Sequence, residues 1–110
     1  MNRAIQRDVI RHAARAAALL DGSRDGVAAA DVDDLLVDVS AEVLHLEADR
    51  ARTERRLKRL ATEILDDPSA AAALSALANE VQQIADAVDQ LETLRRALRF
   101  RRDSLIRSRR

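Results

Sequence analysis

The sequence predicts an all-α protein, a long antiparallel coiled-coil hairpin with a shorter third helix at the N-terminal side. Three observations carry that reading. Ala, Leu and Arg, all strong helix formers, dominate the chain, while sheet-favouring residues are scarce and Phe100 is the one aromatic. The two Gly and the one Pro fall in just two places. Between and after those places run two segments with apolar residues at alternating four- and three-residue steps.

The first interruption is Asp21-Gly22-Ser23-Arg24-Asp25-Gly26, a turn-rich hexapeptide holding both glycines. The second is Asp66-Asp67-Pro68-Ser69, where an Asp can cap and Pro68 can occupy a first helical turn that needs no N–H from it. Three helices follow, over about 3–20, 28–66 and 69–107, in a single domain spanning 1–110. Asp31 and Asp34 resemble a capping box, which leaves a later start for the second helix open.

The second helix places Val32, Leu36, Val39, Val43, Leu46, Arg50, Thr53, Leu57, Leu60 and Ile64 on one seam. The third places Leu74, Leu77, Val81, Ile84, Val88, Leu91, Arg95, Leu98, Arg102 and Leu105 on another. A four-residue connection makes such neighbours antiparallel. Folding back there pairs positions whose numbers add to about 134, among them Leu60 with Leu74 and Leu36 with Leu98. The charges agree. Arg50 to Arg59 face Glu80, Asp86, Asp89 and Glu92, while Asp31, Asp33, Asp34 and Asp38 face Arg95 to Arg102. A parallel pairing would set like charges together.

The first helix, with Ile5, Val9, Ala13, Ala16 and Leu20 as its apolar face, is half as long as the other two. It is expected along the 28–45 end, which leaves the 46–90 end with two helices and a thin core. Ala73, Ala78, Ala85, Ala87 and Leu94 widen the apolar stripe of the third helix there. Small residues let another helix approach closely. The expected oligomer interface is therefore Ala73, Leu77, Ala78, Val81, Ile84, Ala85, Val88 and Leu91, and the expected assembly a homodimer forming a helical bundle.

Function classes narrow by exclusion. Cysteine is absent, which removes disulfides, thiol catalysis and zinc ribbons and fits a cytoplasmic protein. No apolar run approaches the ~20 residues of a membrane span, and Arg11 and Arg15 interrupt what would be a signal-peptide core. Glu42 and His45 have the E-x-x-H spacing of carboxylate-bridged metal bundles, but such a site needs two of these motifs and two further Glu. His45 is expected on the surface with Asp89 as its cross-helix neighbour. His12 follows Asp8 by one turn, too far from His45 to share a ligand within one chain. Neither a nucleophilic triad nor a phosphate-binding Gly loop is present. The expectation is no enzyme, no cofactor and no metal.

Charge leaves one further possibility. The net charge is zero, but residues 95–110 hold eight Arg against one Asp. Once the acidic start of the second helix is counted against Arg95–Arg102, the unbalanced remainder is Arg107, Arg109 and Arg110. The first helix adds Arg3, Arg7, Arg11 and Arg15 at strict four-residue spacing. These seven are the candidate contacts for an anionic partner, unless the first-helix row is neutralised by Asp33, Asp34, Asp38 and Glu42. The sequence thus favours a non-enzymatic scaffold or adaptor that binds itself and an unidentified protein. A nucleic-acid-associated protein is the alternative.

Overall fold

A computed structural model describes residues 3–21, 26–63 and 66–108. The described residues form three helices: α1 (Arg3–Leu20), α2 (Ala29–Glu63) and α3 (Ala70–Arg107). The described residues contain no strand. They form a rod with extents of 67 × 20 × 14 Å.

The ends of the helices follow from local chemistry. Gly26 has φ +85°, a left-handed turn conformation with open space where a Cβ would stand. That residue releases the chain into α2. Asp31 does not cap a later start. Its carboxylate reaches back to accept from the Ala28 N–H at 3.3 Å, as the third residue of a capping box does, so α2 begins at Ala29. At the hairpin turn Asp67 is the capping group: its Oδ1 accepts from the Ser69 N–H at 3.1 Å and from the Ser69 hydroxyl at 2.6 Å. Ser69 itself is already helical and makes no side-chain cap. The Ala71 N–H closes onto the Pro68 carbonyl at 3.1 Å, so Pro68 supplies an acceptor to the first turn and needs no donor of its own. The seam position Ile64 lies outside the described residues.

Helices α2 and α3 pack closely as the expected hairpin. Arg102 reaches Asp33 across the two at 3.5 Å, within one residue of the predicted register. The core is one continuous cluster that includes Val32, Leu35, Leu36, Val39, Val43 and Leu46 of α2 with Ile84, Ala87, Val88, Leu91 and Leu98 of α3. Helix α1 adds Ile5, Val9 and Ala16 to it.

Helix α1 runs alongside α3 in the same direction. Its N-terminal half forms a cleft in which Ile5, Gln6, Val9 and Ile10 meet Gln83, Asp86, Ala87 and Gln90. Near its C-terminus Arg101 Nε donates to the Leu19 carbonyl at 3.3 Å. On the other side Arg15 Nη1 contacts Asp38 at 2.9 Å. The inward face is Ile5, Val9, His12 and Ala16, with Ala13 and Leu20 only half-buried. A 4-3-4 spacing thus replaces the expected choice of Ala13. The expectation placed an alanine inward because it is apolar, yet a straight seam on two partner helices selects the angular position that falls between them.

Cross-helix charge pairing is sparser than the sequence suggests. Arg50 pairs with Glu54 at 3.1 Å, Arg52 with Asp49 and Arg95 with Glu92 at 3.0 Å, all within a single helix. A carboxylate one turn away is nearer than one on a neighbouring helix 8–10 Å distant. Thr53, polar but buried, is satisfied within α2 by donating to the Asp49 carbonyl at 2.9 Å. Arg50 is exposed, its head in solvent beside Glu54.

The burial pattern predicts an uneven response to truncation. Leu91→Ala or Leu98→Ala, at fully buried sites, should cost about 2–5 kcal/mol. Leu74→Ala, at a half-buried site, should cost less than half of that. Urea unfolding of the three variants followed by circular dichroism measures the difference.

Candidate interaction surface

Helix α1 ends where the hairpin still has length to run. Its first turns, at Ile5 and Gln6, share a cleft with Gln83, Asp86 and Ala87 of α3. Beyond that level the described residues pair two helices alone, and seam residues that would be fully covered in a three-helix bundle are not. Leu57 and Leu60 on α2 and Leu74, Leu77 and Val81 on α3 are all half-buried. Arg56, Arg59, Leu60 and Glu63 of α2 and Ala73, Ala76 and Leu77 of α3 line a shallow groove there. The groove continues the seat of α1. Ala76 lies seven residues before Gln83, and both fall on the same edge of α3.

The expected interface residues divide by burial. Ile84, Val88 and Leu91 are buried in the chain's own core, so they offer nothing to a partner while the hairpin is folded. Leu77, Val81 and Ala85 are half-buried and Ala73 and Ala78 exposed. The heptad pattern identified these positions by angle but does not show how far along the hairpin α1 reaches.

The arginine row of α1 is exposed throughout. Arg15 is neutralised by Asp38, and Arg11 pairs with Asp8 of its own helix at 3.5 Å. Arg107 is exposed at the end of α3, and Arg109 and Arg110 lie outside the described residues.

His45 is corrected. Its Nε2 faces Asp49 one turn along α2 at 3.4 Å, and not Asp89 of α3. Among the described residues no cluster of three or more His, Cys, Asp or Glu is placed to hold a metal ion.

His12 is the one buried histidine, 4% exposed, and its Nδ1 has no hydrogen-bond partner among the described residues. Burial lowers its pKa from the ordinary 6.5, and Arg11 and Arg15 push the same way. Glu42 and Asp38 act in the opposite direction. The neutral imidazole is thus the form that the fold accommodates, at the point where α1 meets α2.

An all-α protein, a two-helix hairpin with a third helix along half its length, is the class that the architecture defines. The chain matches no protein-family model, no curated protein and no solved structure with significance. Among the described residues no helix is long and apolar enough to cross a membrane.

The lowered pKa of His12 fixes a pH dependence. The unfolded chain takes up a proton at its histidines near pH 6.5 while the folded chain resists doing so at His12, so stability is full above that value and falls as the pH drops below it. The melting temperature should decline by several degrees between pH 7.5 and pH 5.5. In His12→Leu, which fills the site with an apolar group, that decline should be smaller. Thermal melts of both chains across this range decide it, since most carboxylates titrate lower.

Proposed function

We propose that the protein is a non-enzymatic scaffold or adaptor, a coiled-coil homo-oligomer that also docks a helix of another protein on the open half of its hairpin. The observation that carries the reading is the length mismatch. An 18-residue helix covers a hairpin with arms of 35 and 38 residues, which leaves the half-buried leucines of the tip as a seam with no third element. Two helices bury a seam from two sides only, and a third helix removes the remaining apolar area from water.

The groove has the features such docking uses. Leu60 and Leu77 supply apolar contact, Ala73 and Ala76 allow close approach, and Arg56 and Arg59 form a charged rim.

A photocrosslinking amino acid at Ala76 of the full-length protein, expressed in its native host, should capture a discrete protein. Leu77→Glu should abolish the capture without loss of helicity. Loss of capture in Phe100→Ala, remote from the groove, would contradict the reading. A gel-shift at low salt separates the alternative: retardation of a duplex or single strand that falls steeply with added salt would favour the nucleic-acid reading.

A further inference from the structure

The outer face of α2 has an apolar stripe that the hairpin does not use. Val37 and Leu44, the large exposed hydrophobic residues of this helix, are each 68% exposed. With Ala41, Ala48 and Ala51, also exposed, they follow a 4-3-4-3 spacing. The stripe points away from the core positions Val32, Leu36, Val39, Val43 and Leu46, and α1 lies on another side, against Asp38. It is therefore open along its whole length.

The charges of α2 are divided between its halves. Residues 31–49 carry seven acids and no Lys or Arg, whereas 50–59 carry six basic residues and one acid. A helix polarised in this way is complementary to a second copy of itself only when the two run antiparallel. A parallel pair would align acid with acid and base with base.

From these two observations we infer that two copies of the chain associate through the outer faces of α2, antiparallel, about a two-fold axis near residues 45 and 46. The inference specifies the self-association named above but places it on α2, and the α3 groove stays free. In that register, with facing numbers adding to about 92, Leu44 packs on Ala48 of the partner subunit and Ala41 on the partner's Ala51. The stem of Arg55 covers Val37 of the partner subunit. At either end of the stripe Asp34 meets Lys58 of the partner subunit, and on the flank Asp31 meets the partner's Arg59. The two-fold repeats each contact, as an isologous interface requires. One contact is unfavourable: Glu47 faces its own copy across the axis.

The test uses the full chain. Sedimentation equilibrium should give a dimer at tens of micromolar. Leu44→Glu should raise the dimer dissociation constant about thirtyfold or more, with helicity and monomer melting unchanged because the residue is exposed. Lys58→Asp should weaken the dimer and Asp34→Lys in the same chain should restore it, while Glu47→Gln alone should tighten it. The chain has no cysteine, so His45→Cys places a single thiol beside the axis, and mild oxidation should join two copies. Cysteine in place of Val37 alone should not, since the two copies of that residue lie far apart.

A monomer at 100 micromolar would overturn both the inference and the self-association of the proposed function. A dimer unaffected by Leu44→Glu but lost in Leu77→Glu would overturn the inference alone and place the second copy on α3. Equal crosslinking from position 37 and position 45 would mean a parallel pair and would overturn it as well.

Discussion

A hydrophobic seam is stable only when something closes it, and here the closing helix is half as long as the seam. The arms of the hairpin hold their apolar repeat from Val32 to Leu60 and from Leu74 to Leu105, but α1 has its contacts with α3 between Gln83 and Arg101. Where three helices meet, Leu35, Leu46, Ile84, Leu91 and Leu98 are less than 2% exposed. Where two meet, no leucine among the described residues is buried to that degree. Each fully covered leucine is worth roughly 1.5–3 kcal/mol, so the covered half holds most of the apolar stabilisation. The tip is carried by helix propensity, by intrahelical ion pairs and by its continuity with the core.

The position of α1 rests on few interactions, and their placement matters more than their number. Arg15 to Asp38 and Arg101 to the Leu19 carbonyl hold its C-terminal end on both arms. Such exposed ion pairs contribute modestly. The burial of Val9, His12 and Ala16 has to supply the rest. His12 is an odd member of that group. A leucine there would bury more apolar area with no polar atom to satisfy, whereas the imidazole leaves Nδ1 without a partner. Its cost is contained by remaining neutral, and the nearby Asp38 and Glu42 keep that neutrality conditional on pH.

Much of the fold was legible because the information lies in periodicity and punctuation. The turns at Gly26 and at Pro68, the seam of Leu36, Val39 and Val43 and the register of α2 on α3 all follow from residue spacing. Three things were not legible. Spacing cannot say that His12, and not Ala13, turns inward, since that depends on the angle at which α1 crosses two helices. It cannot say that Arg50, Arg52 and Arg95 prefer carboxylates on their own helix. It also directed attention to the alanine-flanked seam of α3, where Ile84, Val88 and Leu91 are already covered. The stripe of Val37 and Leu44 does not stand out in the sequence, because residues on either side of it are charged. A second apolar stripe on a helix that already has one becomes visible only when burial shows the first to be complete.

The two surfaces of the open half and the outer stripe have a geometric relation with functional weight. An antiparallel pairing of α2 about residues 45 and 46 directs the two hairpin tips in opposite directions. With 1.5 Å per residue, grooves centred near residue 58 would stand roughly 35 Å apart along the dimer axis. Each would present Leu60, Leu77 and the Arg56–Arg59 rim to a separate helix. A dimer so built is bivalent, and two modest docking events on one partner assembly reinforce each other through effective concentration. That arrangement gives a role to the short α1. A longer first helix would close the seam and stabilise the monomer, but it would remove both docking grooves. The incomplete cover is therefore consistent with the proposed role of holding other helices on the half of the hairpin that α1 leaves open.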